Sequence, residues 1–192
     1  MRAPYADRPG WYGRLDFPID TIRRFLRDAL HSSGPDGLMP DLRPLARRLG
    51  VIVVQNPAHF RGAVPVARLG DARAREYQGF RSLVAAGIPL AIGSDGLTNP
   101  FLNILLGSTH PNNPSEALTR EQVVIAYTGG SAYAEFAEGE KGRLVPGQLA
   151  DLAVLSQDIF TVPAPALPAS RSVLTLIDGR VAYDAGVLKA MR

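Results

Sequence analysis

Two segments of this chain repeat one pattern, and that pattern narrows the fold more than any other feature. Residues 41–49 read as a short helix, Gly50 stops it, and the apolar run Val51-Ile52-Val53-Val54 follows before breaking off at Gln55-Asn56-Pro57. Residues 75–86 then place Phe80, Leu83 and Val84 on one helical face, Gly87 stops the helix, and Ile88-Pro89-Leu90-Ala91-Ile92-Gly93 leads to the polar turn Ser94-Asp95-Gly96. A glycine just past a helix takes the left-handed position without a Cβ penalty, which accounts for both stops. Continuous aliphatic strands, unlike alternating ones, imply burial on both faces, as in a parallel sheet. Two successive units of this kind predict an α/β architecture.

Further along, Asn99-Pro100 supplies an N-cap and a first-turn proline for a helix expected to reach Leu106 and close at Gly107. His110-Pro111-Asn112-Asn113-Pro114 reads as a loop. Thr119 and Gln122 have capping-box spacing for a helix predicted to run to about Phe136. Gly129-Gly130 inside it costs about 1 kcal/mol per glycine, and close packing against a neighbour is the reason we assign. From Gly142 the texture turns to β. Pro146-Gly147 suits a type II turn before the strand 151–155. A Pro/Ala-rich connector over 162–169 precedes the strand 173–177, and Asp178-Gly179 suits a type I′ hairpin into 180–183. Near the start, residues 19–30 read as an amphipathic helix, with Ile22, Phe25, Leu26 and Leu30 on one side and Arg23, Arg24 and Arg27 on the other, and residues 1–17 read as coil.

Charge and composition exclude several classes. Net charge is +3, and the first 81 residues carry 14 Arg against 8 Asp/Glu. These arginines are scattered over helix-like stretches without interleaved aromatics, so no nucleic-acid partner is expected. No apolar run nears the ~20 residues of a membrane span, and the first ten residues lack a signal-peptide core. With no cysteine in the chain, thiolate metal sites and disulfides are excluded. A cytoplasmic location is expected.

Asp95 is the foremost candidate for chemistry, because parallel sheets and barrels place their sites at the C-terminal ends of strands. A carboxylate there can bind a divalent cation or handle a proton; its structural alternative is to cap the turn between Ser94 and Gly96. His59 and Asn56 follow the other strand and are read as facing the same rim, as is His110 from its loop, and all three are taken as candidates for binding substrate there. For each histidine the alternative is a packed loop residue. His31 ends a helix-like segment, where a dipole contact suffices to explain it. The three histidines stand 28 and 51 residues apart, with no close pair of the kind a self-sufficient zinc site uses. No phosphate-binding glycine loop and no nucleophile elbow is present.

The run 89–96, Pro-Leu-Ala-Ile-Gly-Ser-Asp-Gly, resembles the eighth barrel strand of amidohydrolase-superfamily enzymes. The passages 118–128 and 139–155 are similar to the approach to that family's composite β-sandwich, and 174–183 to its last hairpin. Residues 49–60 resemble the seventh strand of the family-3 amidohydrolase branch. The resemblance covers roughly 37–183. It implies that Asp95 is a metal ligand and proton shuttle, that the metal is divalent, with zinc the expected ion, and that the reaction hydrolyses carbon–nitrogen bonds of non-peptide amides or amidines in a small molecule. The family's first-strand H-x-H, bridging lysine and fifth- and sixth-strand histidines have no counterpart here, with His31 the one histidine in their place.

A complete (β/α)₈ barrel needs about 250 residues. The expectation is therefore the C-terminal part of a TIM-like (β/α)₈ metal-dependent hydrolase barrel, truncated, plus part of a small β-sandwich. A poorly defined segment with one amphipathic helix occupies 1–38, the partial barrel with its last two strands and helices 39–141, and the β-sandwich segment 142–192. Zinc is expected only if the missing ligands are supplied, and the chain by itself is expected to be inactive. Alternatives are a non-catalytic remnant or interaction module, or one half of a split enzyme. Open strand edges favour association with a second copy or a complementing chain.

Overall fold

The computed structural model describes residues 43–60, 70–71, 74–95 and 99–190. The predicted helix within 19–30 and His31 lie outside the described residues. Helix α1 (Arg43–Leu49) buries Ala46 and Leu49. It ends in a Schellman motif: Gly50 has φ +65°, its N–H donates to Arg47 O, and the Val51 N–H donates to Ala46 O. Strand β1 (Val53–Gln55) follows. The second unit repeats this stop. After helix α2 (Phe80–Ala85), Gly87 has φ +68°, its N–H donates to Val84 O and the Ile88 N–H to Leu83 O, and strand β2 (Leu90–Ile92) begins. The two strands pair in parallel, Val53 opposite Leu90 and Gln55 opposite Ile92, as the aliphatic runs predict.

Three expectations for these units need correction. The stretch 75–86 is not one helix: helical residues at 74–76 give way at Tyr77-Gln78, where Gln78 turns left-handed (φ +54°), and α2 restarts at Phe80. Val84 is 41% exposed, so Phe80 and Leu83 alone form the buried face. Burial of both strand faces holds for β2, every residue of which is buried. It fails for β1, where Val54 is 51% exposed because β2 is its one sheet partner among the described residues.

Helix α3 (Pro100–Thr109) starts where the Asn99 Oδ1 accepts the N–H groups of Phe101 and Leu102. It runs past Gly107 to a left-handed cap at His110. Gly107 does not stop the helix but brings it close to its neighbour, since a Cβ there would stand 3.1 Å from Val123 Cγ2. Helix α4 (Arg120–Ile125) carries the predicted capping box, with Thr119 Oγ1 accepting from the Gln122 N–H and Gln122 Oε1 from the Thr119 N–H. It widens into a π turn (Ala126–Gly130) and continues as α5 (Ser131–Ala134). Of the glycine pair, Gly130 does mark close packing, since a Cβ on it would collide with the Leu90 carbonyl oxygen and this helix lies directly on β2, whereas a Cβ on Gly129 would meet nothing nearer than 3.7 Å. Ser131 Oγ donates to Ile92 O from the same face.

The remaining strands, β3 (Leu152–Leu155), β4 (Ser172–Ile177) and β5 (Arg180–Asp184), form a three-stranded antiparallel sheet in chain order. Gly147 (φ +90°) and the Gln148 N–H to Val145 O bond fit the type II turn, and positive φ at Asp178 and Gly179 fits the type I′ hairpin. A short helix α6 (Val187–Ala190) follows. The Pro/Ala-rich connector is no free linker. Its 3-10 helix (Ala164–Ala169) buries Leu167 completely, the Asn99 Nδ2 donates to Pro168 O, and Arg120 donates to the carbonyls of Ile159 and Val162. Ile159 and Leu167 join Phe80, Leu83, Ile92, Ile104 and Val123 in one apolar core. No helix among the described residues is long and apolar enough to cross a membrane.

Candidate functional site

Because β1 and β2 are parallel, their exits open on the same rim. Beyond β1 the chain turns through a 3-10 helix (Pro57–Phe60) that carries His59, whose N–H donates to Asn56 O at 2.9 Å. Beyond β2 the Gly93 N–H still bonds to Gln55 O, and Asp95 then turns left-handed (φ +39°). A non-glycine residue with positive φ is uncommon, though aspartate tolerates it better than most. Gly93 permits the two exits to touch, because a Cβ there would meet Asn56 Oδ1 at 2.5 Å. The outcome is a hydrogen-bonded ion-pair geometry, His59 Nε2 to Asp95 Oδ2 at 2.7 Å, between residues 36 positions apart. Asp95 is 69% exposed at its side chain and His59 25%, so the pair faces outward from the rim.

Of the four residues picked from the sequence, the structure thus brings His59, Asp95 and Asn56 together at adjoining strand exits. His110 is the correction. It does not flank the rim; it is wholly buried, its ring centroid 4.6 Å from that of Phe60 and 5.4 Å from that of Phe80. The Asn113 N–H donates to its Nδ1, so Nε2 carries the proton and donates to Gln78 O at 3.1 Å. Burial holds the imidazole below its ordinary pKa, against the opposing pull of the Gln78 carbonyl. A loop rich in Pro and Asn suggests exposure, but the aromatic residues that enclose this ring come from segments 30 and 50 residues away.

Gln78 is the residue that sequence reasoning passed over. Its Nε2 donates to Asn56 O at 2.9 Å, tying the first unit's exit to the turn before α2. The available signal was Gly79 inside an otherwise helical pattern, a mark of interruption. On α2 itself, Ser82 N–H and Oγ both donate to the Glu116 carboxylate, which fixes this helix to the loop after α3.

Among the described residues no three His, Cys, Asp or Glu side chains gather as a metal site would require. Zinc takes at least three protein ligands. The rim offers two donors, and their facing atoms are engaged with each other. These residues do not fit a metal ion by themselves.

Comparison with known proteins bears on this rim. Residues 29–183 match the amidohydrolase family. YtcJ of Bacillus subtilis (strain 168), named as an amidohydrolase, is 31% identical over 132 residues, which are 62% of this chain and 25% of YtcJ. An N-substituted formamide deformylase of Arthrobacter pascens is 25% identical over 179 residues, 86% of this chain and 31% of the deformylase. Among solved structures, a metal-dependent hydrolase from Pyrococcus horikoshii OT3 superposes with a TM-score of 0.60 at 21% identity, over 68% of this chain and 29% of that one. The chain therefore spans a quarter to a third of the length of these proteins, and its two parallel strands and their helices form part of the α/β fold of that metal-dependent hydrolase. With the family matched over most of its length, the chain belongs to the amidohydrolase family, in the family-3 branch of the superfamily.

Proposed function

We propose that this chain carries the His59–Asp95 corner of an active site that hydrolyses carbon–nitrogen bonds in small non-peptide amides or amidines. The observation that carries this reading is the 2.7 Å contact between the two side chains, made across the C-terminal ends of adjacent parallel strands. Asp95 is the proton-handling group. Its exposed carboxylate accepts a proton from the attacking water as the C–O bond forms, and returns it to the nitrogen as the C–N bond breaks. His59 Nε2 holds the carboxylate in place, and Asn56 lies beside the pair at the first strand's exit. The relation to a formamide deformylase supports an amide-type substrate.

A divalent ion, zinc by family resemblance, requires ligands beyond the two donors of this rim. The described residues alone are therefore a non-catalytic corner, completed by other segments or by a complementing chain. Elemental analysis of the purified chain checks this: no stoichiometric zinc is expected, and about one zinc per chain would count against it. Asp95→Asn in an enzyme with the site complete should lower kcat about 10²- to 10⁴-fold, the usual worth of a positioned acid–base group. Near-normal turnover by that variant would sink the assignment.

A further inference from the structure

Gln78 stands where the interior meets the rim. It is wholly buried and left-handed at φ +54°, a region that a glutamine does not favour by itself. Bonds from three directions hold it there. Its carbonyl accepts from the Phe80 N–H at 2.7 Å and from His110 Nε2 at 3.1 Å, and its Nε2 donates to Asn56 O at 2.9 Å. That Asn56 oxygen is the one that also accepts the His59 N–H. His110 is in turn boxed by Phe60 and Phe80 and anchored by the Asn113 N–H.

Packing alone does not account for an amide at this position. Gln78 Oε1 is buried without a hydrogen-bond partner among the described residues. Such a group carries a desolvation cost that an apolar side chain of equal size would avoid. The half of the amide that is used is the half that reaches the turn bearing His59.

We propose that Gln78 is a positioning residue, setting His59 against Asp95 through the Asn56 carbonyl. The inference rests on the reading of that pair as the working rim, but it makes a claim about geometry that turnover does not enter. It can be tested on the full chain with Gln78→Met, which keeps the volume and removes the amide. Long-range ¹⁵N–¹H spectra of the imidazoles report His59 directly, with His59→Gln as the assignment control. In the parent chain His59 should hold a single tautomer bonded to the carboxylate. In Gln78→Met its signals should move to those of a tautomer-averaged ring, while His110 keeps its Nε2–H pattern.

Unchanged His59 signals in a folded Gln78→Met chain overturn the proposal, because a merely structural residue would shift the unfolding midpoint and leave the pair intact. Should that variant not fold, hydrogen exchange in the parent chain decides. The Gln78 side-chain amide is expected to exchange slowly and in step with the His59 backbone amide. Exchange at the rate of a free glutamine amide would refute it. Failure of the hydrolase reading shows as normal turnover in Asp95→Asn, and leaves both of these measurements untouched.

Discussion

The two helix–strand units begin alike and end differently. Each closes its helix with the same Schellman pair around a left-handed glycine, Gly50 in one and Gly87 in the other, and each then enters a parallel strand. After the strand they diverge. The first unit leaves through Asn56-Pro57 into a tight 3-10 turn, with Pro57, Ala58 and Phe60 buried, that holds His59 from beneath. The second leaves through Gly93 to an exposed, left-handed Asp95. The shared part is scaffold, and it uses residues that satisfy backbone groups and fill the core. The part that is not shared carries the side chains with chemistry, and those side chains meet only because the scaffolds run in parallel.

Breaking the exits should therefore cost activity without stability, and breaking the scaffold the reverse. The largest effect is expected from Asp95→Asn: with the site complete, its loss of about 10²- to 10⁴-fold in kcat should come with an unfolding temperature within a few degrees of the parent; a large drop in stability would erase the distinction. Next comes Phe80→Ala in the scaffold of the second unit. Phe80 is wholly buried and touches Phe60 and His110, so a loss of about 3–5 kcal/mol is expected in denaturant titration. Val84→Ala, on the exposed side of the same helix, should stay within about 0.5 kcal/mol.

A pH series sharpens the comparison further. Burial holds His110 below its ordinary pKa in the folded chain, so the unfolded chain takes up the proton first as pH falls. The stability contributed by the neutral ring is complete above about pH 6.5 and declines below it, by up to about 1.4 kcal/mol per pH unit until the folded ring also protonates. Urea midpoints of the parent and of His110→Gln, compared from pH 8 to 5, should differ by a constant amount above about pH 6.5 and converge below it; a difference that stays constant down to pH 5 would mean the ring does not titrate on unfolding. A smaller loss than at Phe80 is expected at the shared stops. Gly50→Ala and Gly87→Ala each place a Cβ at positive φ and should each cost about 1 kcal/mol. Clearly unequal costs would show that the two stops are not equivalent, and the Arg47 guanidinium, whose Nε lies 3.4 Å from where a Cβ on Gly87 would stand, is where the difference would arise.

Much of the scaffold was legible because its signals are local. Gly50 and Gly87 announce left-handed caps, Asn99-Pro100 and Thr119 with Gln122 announce helix starts, and Asp178-Gly179 announces a hairpin, each through backbone chemistry within a few residues. Reading failed where burial was set from a distance. Gly107 looked like a stop and is a contact with Val123; Val84 looked buried and is exposed; His110 looked like a rim residue and is enclosed by Phe60 and Phe80. At the site, Asp95 and His59 could be singled out from their places after apolar runs, but not their contact.

By itself, then, the sequence determined the two glycine stops, the capped helix starts, the hairpin turn and which polar residues follow the aliphatic runs. Those outcomes depend on hydrogen bonds and dihedral preferences between near neighbours, and no distant partner can easily override them. The tertiary structure decided that His59 meets Asp95 across 36 residues, that His110 belongs to the core, and that a left-handed Gln78 links the two. Each of these rests on which side chains from remote segments share a volume, and that is set only when the helices pack onto the sheet.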